Sequence, residues 1–237
     1  IWVHETDGVQ LVDNAIAGRG DLRESDRGNG IHLFDARNLL VRGNRIEHAR
    51  DGIYVSATED SAIEANEASD VRFGIHYMYS YRNAVRDNAM RDSKVGIALM
   101  ESRDLVVTGN VATGNAREGL LFRDVQGSTI RANRLEGNGT GMFFYSSTEN
   151  EVLDNEILDN AIGLKVWAGT VRNRVEGNAI RGNREPVFYV AAEDQVWGGS
   201  GRGNAWSDYL GWDQDGDGIG DRPHRVVPRG PCTAAHP

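Results

Sequence analysis

Residues 141–162 read Gly-Met-Phe-Phe-Tyr-Ser-Ser-Thr-Glu-Asn-Glu-Val-Leu-Asp-Asn-Glu-Ile-Leu-Asp-Asn-Ala-Ile, and at Gly163-Leu164 the pattern begins again. Apolar residues alternate with polar ones over about four to six positions, then stop at clusters of Asn, Asp and Gly, the signature of short half-buried strands. No segment holds a 3.6-residue apolar period long enough for a helix. The same unit recurs along the chain. Glycine followed by an apolar residue occurs at Gly30-Ile31, Gly52-Ile53, Gly74-Ile75, Gly96-Ile97, Gly119-Leu120, Gly141-Met142 and Gly163-Leu164, always 22 or 23 residues apart. Asn44, Asn66, Asn88, Asn110, Asn133, Asn155 and Asn178 keep step at the same intervals.

Two ladders in phase describe one stacked unit that buries its apolar face only against its neighbours. A unit of this length, built of two or three short strands, places each strand parallel on its copy, roughly 4.8 Å above it. The expected fold is all-β, a right-handed parallel β-helix. The asparagines read as structural, since stacked side-chain amides bond to one another and to turn backbones. The glycines read as the points where the chain turns sharply. The repeat fails at Arg184-Glu185-Pro186, which predicts a β-helix over 1–200 and a C-terminal cap over 201–237.

The bulk composition narrows the function classes. The 237 residues carry 29 Gly, 5 Pro and a formal net charge of −9. Repeated tight turns account for the glycine, and the acidic balance argues against a protein that tracks nucleic-acid phosphates with clustered Lys and Arg. No stretch approaches the roughly 20 apolar residues that cross a bilayer, and no charged-then-apolar signal segment opens the chain, so a soluble domain is expected. The chain starts at Ile1 without methionine, and Val9 to Ile16 already has the pattern of a coil, which reads as a mature or truncated product. The lone Cys232 has no partner for an intrachain disulfide.

Alternation assigns the faces of the strand after each ladder glycine. Ile31/Leu33, Ile53/Val55, Ile75/Tyr77, Ile97/Leu99, Leu120/Phe122, Met142/Phe144 and Leu164/Val166 take the inward register. Their neighbours point out: His32/Phe34, Tyr54/Ser56, His76/Met78, Ala98/Met100, Leu121/Arg123, Phe143/Tyr145 and Lys165/Trp167. An outward stripe this apolar marks an interaction face. Partner docking is assigned to His32, Phe34, Tyr54, Phe143, Tyr145 and Trp167. Within the stripe, His76 and Met78 lie two apart on one strand, about 7 Å, and Met100 lies one rung, roughly 4.8 Å, beyond Met78. Imidazole beside thioethers selects a soft ion such as copper(I), whereas calcium or magnesium wants carboxylates. His32, two rungs or about 10 Å from His76, is too far to share one ion directly.

The cap holds a second candidate. Asp213, Asp215, Asp217 and Asp221 occupy positions 1, 3, 5 and 9 of a calcium loop of the EF-hand kind, with Gly218 at position 6 and Ile219 offering its carbonyl at 7. Position 12, where a bidentate Glu is expected, is His224, so a Ca²⁺ site here is either weaker or completed by a distant carboxylate such as Asp208.

Two strings, Arg72-Phe-Gly-Ile-His-Tyr-Met-Tyr79 and Gly203-Asn-Ala-Trp-Ser-Asp-Tyr-Leu-Gly-Trp-Asp-Gln-Asp-Gly-Asp-Gly-Ile-Gly-Asp221, resemble the NosD family, and the likeness runs from about residue 10 to residue 225. The resemblance implies a non-enzymatic periplasmic β-helix protein that serves maturation of nitrous oxide reductase. It implies docking on an ABC transporter with the partners NosF and NosY, exchange of copper(I) with the lipoprotein NosL, and ATP hydrolysis by a partner. The chain has no phosphate-binding Gly-rich loop ending in Lys-Ser or Lys-Thr, which agrees with nucleotide chemistry lying elsewhere. Family members are longer, so N-terminal coils and an export signal are expected beyond this sequence. Two other readings stay open. One is a carbohydrate-binding or carbohydrate-processing β-helix that uses carboxylates among Asp35, Glu101 and Asp124. The other is a passive spacer between two partners.

Overall fold

The strands stack in three parallel sheets that share one axis. A computed structural model describes residues 1–190, 195–199, 201–214, 216 and 220–224. The first sheet runs Trp2–Asp7, Ile31–Arg37, Asp51–Glu59, Phe73–Met78, Val95–Arg103, Glu118–Gln126, Thr140–Tyr145, Ile162–Val166 and Glu185–Tyr189, in that order. The second has eight three-residue strands from Gln10–Val12 to Arg174–Glu176, and the third has nine from Ala15–Ala17 to Ala205–Trp206. Every strand pairing within these sheets among the described residues is parallel, so the chain is a parallel β-helix, and no α-helix occurs among the described residues. No helix among them is long and apolar enough to cross a membrane. Residues 2–17 form a coil before the first ladder glycine. Its register to the next coil, Trp2 on His32, spans 30 residues because 18–29 make an excursion containing the 3₁₀ turn Glu24–Asp26. That excursion is tied to later coils by Arg27 on Asp70 at 3.4 Å and Glu24 on Lys94 at 2.7 Å.

The inward columns of the first sheet are as alternation requires. All fourteen side chains, from Ile31 and Leu33 to Leu164 and Val166, are at most 2% exposed. They meet Val41, Ile63, Val85, Val107, Ile130 and Val152 from the second sheet and Ile46, Met90, Leu135 and Ile157 from the third in one continuous core. Each fully buried Val, Ile or Leu contributes roughly 1.5–3 kcal/mol. Phe122 and Phe144 stack within it, 4.5 Å apart and nearly coplanar. Tyr77 also lies wholly inside, with a hydroxyl that meets no partner, and burial raises its pKa.

The ladder glycines correct one expectation. None of the seven has a positive φ, so conformational freedom at a sharp turn is not why they are there. A Cβ on Gly74 would stand 2.4 Å from Met90 Sδ and 2.5 Å from the carbonyl oxygen of Gly96, and Gly52 and Gly96 meet the next rung's carbonyl at 2.5 and 2.6 Å. The glycines let one rung settle onto the next while the third sheet closes against it.

The asparagines do what stacked amides can do. From Asn44 through Asn178 to Asn204, each Nδ2 donates to the next Oδ1 at 2.8–2.9 Å. The same Oδ1 accepts the backbone N–H of the residue below at 2.9–3.1 Å. A second ladder runs through Asn115, Asn138, Asn160 and Asn183, and a third through Asn150, Asn173 and Gln195. All three occupy corners, where the side-chain oxygen of the next residue in the ladder, and not a backbone carbonyl, takes the buried backbone N–H.

Candidate functional site

On its outer side the first sheet carries two columns. One runs Trp2, His32, Tyr54, His76, Ala98, Leu121, Phe143, Lys165, Phe188, and the other His4, Phe34, Ser56, Met78, Met100, Arg123, Tyr145. Met78 and Met100 are direct register partners, and His76 precedes Met78 by one alternation on the same strand. The candidate donors therefore fall where the ladder places them.

The burial of this face differs from expectation. His76 is only 8% exposed, Ser56 7% and Ala98 0%, whereas Met78 and Met100 remain half-buried. Around His76 the first column is covered by rings of its own face, while Met78 and Met100 of the second stay partly open. The Phe73 ring lies 4.5 Å from the His76 ring, tilted, and Tyr54 meets it edge-on at 4.9 Å. Tyr54 in turn touches His32 at 4.8 Å, so the two histidines are separated by an aromatic ring and do not share a site. Alternation tells inward from outward; it does not tell which outward side chains roof one another.

Beneath His76 lies a residue that the pattern did not single out. Asp51 sits one position before Gly52, in register with Phe73, and its side chain is fully buried. Arg72 grips it with two bonds, Nε to Oδ1 at 2.8 Å and Nη2 to Oδ2 at 2.7 Å, and His76 Nδ1 reaches Oδ2 at 3.1 Å. Burial alone would raise the Asp51 pKa, but hydrogen bonds from His76 and Arg72, with the charge of Arg72, hold it below the usual carboxylate range. The reciprocal bonds raise the pKa of Arg72. Arg72 also lies 4.7 Å over the Phe73 ring. The available signal was the complementary pair Asp51 and Arg72, 21 residues apart in a 22-residue repeat.

The far nitrogen of His76, Nε2, is buried and has no hydrogen-bond partner, and the same holds for Nε2 of His32, whose ring makes no hydrogen bond to a carboxylate among the described residues. Among the described residues no group of three His, Cys, Asp or Glu side chains is placed to hold a metal, so a metal on this face would draw on thioethers. Nε2 of His76 with the sulfurs of Met78 and Met100 is a donor set suited to a soft ion.

The assigned docking residues form two groups on either side of this centre. His32, Phe34 and Tyr54 lie toward the first coil, with Phe34 39% exposed and stacked on His4 at 5.2 Å. Phe143, Tyr145 and Trp167 lie toward the last coils, where Tyr145 is 38% exposed. There the Lys165 ammonium crosses the rings, 4.5 Å from Phe143 and 4.9 Å from Trp167, so this end is a cation–π cluster and not a bare apolar patch. Burial and the charge of Arg50 lower the pKa of His32.

Glu101 and Asp124 line one open cleft of about 620 Å³ with Tyr81, Ser102, Arg103 and Gln126, while Asp35 lies outside it. Arg123 lies 3.7 Å from Asp124, and Arg103 covers the Tyr81 ring at 4.7 Å.

In the cap, Asp215, Asp217, Gly218, Ile219 and Cys232 lie outside the described residues. Asp213 accepts the N–H of Gly216 at 2.8 Å, Asp221 accepts that of Gln214 at 2.7 Å, and His224 faces Asp208 at 3.6 Å and Trp206 at 4.6 Å.

Comparison with known proteins identifies the family. Residues 12–211 match the family model described as "Periplasmic copper-binding protein (NosD)". A protein of Pseudomonas aeruginosa named "Probable ABC transporter binding protein NosD" is 51% identical over 93% of this chain and 55% of its own length. One of the same name from Stutzerimonas stutzeri is 47% identical over 93% of this chain and 54% of its own. The chain therefore spans about half the length of these relatives. Among solved structures, the A-module of the mannuronan C-5 epimerase AlgE6 of Azotobacter vinelandii superposes with a TM-score of 0.61 over 88% of this chain and 72% of its own, at 16% identity, a likeness of fold alone. By the extent of the model match and the identity of these relatives, the chain belongs to the NosD family.

Proposed function

We propose that this chain is a non-enzymatic periplasmic protein that takes copper(I) as cargo at His76, Met78 and Met100. The observation that carries the reading is the buried, unpartnered Nε2 of His76, on the strand that brings Met78 into register with Met100. An imidazole nitrogen left without a partner in a dry setting is costly unless it is used. Two thioethers and one imidazole favour copper(I) over the harder ions that carboxylates hold. Because the nitrogen is shielded from water, the ion is handed over by a carrier docked on the open Met78–Met100 side. The exposed Phe34 and Tyr145 flank that approach. Following the names of the relatives, the chain works with an ABC transporter, and the family resemblance adds NosF and NosY as its partners. NosL is the carrier and the copper centres of nitrous oxide reductase are the destination. The acidic loop at 213–221 is a structural calcium site in this reading, separate from the cargo.

The test is a competition titration of the folded protein against a copper(I) chelator. Wild type is expected to retain one copper(I), and the variant His76→Ala/Met78→Ala/Met100→Ala to lose it at chelator levels that leave the wild type loaded. Equal retention by the two proteins would contradict the assignment.

A further inference from the structure

We infer that Asp51 is a positioning residue that selects the tautomer of His76 and so leaves the free lone pair on Nε2, the nitrogen away from the carboxylate. This rests on the reading of His76 as a copper(I) ligand. Asp51 is ionised, held so by the two bonds from Arg72. An ionised carboxylate only accepts hydrogen bonds, so the contact of its Oδ2 with His76 Nδ1 at 3.1 Å requires the proton on Nδ1. A neutral imidazole carries one N–H, and Nε2 is then left with its lone pair. The imidazolium would instead bury an N–H at Nε2 with no acceptor, where Nε2 has none in the structure. Phe73 and Tyr54 pack against the ring at 4.5 and 4.9 Å and oppose a flip that would exchange its two nitrogens. Carboxylates that hold the far nitrogen of a metal-binding histidine act in this way, fixing orientation and raising ligand basicity.

The protein contains its own control. His48 Nδ1 and Asp70 Oδ2 make the same pairing one repeat apart, at 2.6 Å, but with both side chains about half exposed. The Nε2 of that ring is not a buried orphan, so an Asp–His pair on this solenoid does not by itself create a dry donor. What distinguishes the Asp51 pair is complete burial of the carboxylate, the Arg72 grip and the two rings.

The experiment reads tautomer and copper separately. In the metal-free protein, ¹⁵N NMR of the histidine rings is expected to show His76 neutral with its proton on Nδ1. Asp51→Ala should shift that signal toward the Nε2–H form and weaken copper(I) binding about 10- to 100-fold. The double variant Asp51→Ala/Arg72→Ala, which leaves no unpaired arginine, should show the same tautomer change if loss of the single carboxylate unfolds the coil. A wild-type His76 protonated on Nε2, or a tautomer unmoved in both variants, overturns the role of Asp51. If His76→Ala weakens copper(I) binding and loss of Asp51 does not, the positioning role alone falls. If His76→Ala leaves binding unchanged, the copper reading itself falls, whatever the tautomer.

Discussion

Asn110→Ala is expected to destabilise the β-helix by about 3–5 kcal/mol, read as the shift in a urea unfolding transition. Asn110 is 0% exposed and stands in the middle of the longest amide ladder. Its Oδ1 accepts from the backbone N–H and the side-chain amide of Asn88, at 3.1 and 2.9 Å. The two hydrogens of its Nδ2 are shared among Val85 O at 2.9 Å, Thr108 O at 3.1 Å and Asn133 Oδ1 at 2.9 Å. Alanine removes all of these at once and admits no water to replace them. Each buried group left unsatisfied costs about 1–3 kcal/mol, and the Asn88 amide nitrogen and the inward carbonyls are the ones exposed to that cost. Asn14, at the half-buried start of the same ladder, makes the comparison: its loss should cost about 1 kcal/mol or less, because solvent reaches its neighbours. Equal effects at the two positions would mean that the ladder does not carry the corner.

Gly74→Ala is expected to cost about 3 kcal/mol or more, seen as a lowered thermal midpoint. A methyl there meets the Met90 thioether at 2.4 Å and the Gly96 carbonyl at 2.5 Å. The thioether is the end of a flexible side chain and can move aside. The carbonyl belongs to the next rung, and moving it means opening the parallel register that pairs Ile75 with Ile97. Gly28→Ala is the matched control, with nothing within 4 Å of the added carbon and an ordinary φ, and should change stability by no more than about 0.5 kcal/mol. A tolerated alanine at Gly74 would show that the rungs are more loosely stacked than described.

These two residues also show what the sequence made legible. The 22-residue spacing of glycine and asparagine needs no tertiary information, because each coil repeats the same local problem at the same corner. It yielded the parallel β-helix, the inward columns and the pairing of Met78 with Met100. The second and third amide ladders were hidden because serine stands in for asparagine at Ser61, Ser93 and Ser128, where a hydroxyl makes part of the same bonds. The role of the glycines was misjudged because the obstacle to a Cβ is another rung's backbone, which no local pattern shows.

At the candidate site the sequence named the proposed donors and missed the residues that surround them. Alternation puts His76 outside the core, and it is outside. Whether an outer side chain is wet depends on neighbours one rung away, here Tyr54 and the preceding Phe73, and on an acidic residue that alternation alone does not mark as buried. Asp51 looks like one more turn carboxylate until Arg72 is seen to close on it. The excursion at 18–29 adds a further long-range element, placing Glu24 where its charge acts on Arg72.

X-ray absorption at the copper edge, on the protein loaded with one equivalent of copper(I) and washed with a competing chelator, tests the proposed site most directly. The predicted first shell is one imidazole nitrogen and two sulfurs, with both sulfurs lost in Met78→Ala/Met100→Ala and the nitrogen lost in His76→Ala. A shell of oxygen and nitrogen alone, or one that does not change in these variants, would place copper elsewhere on the chain and contradict the account.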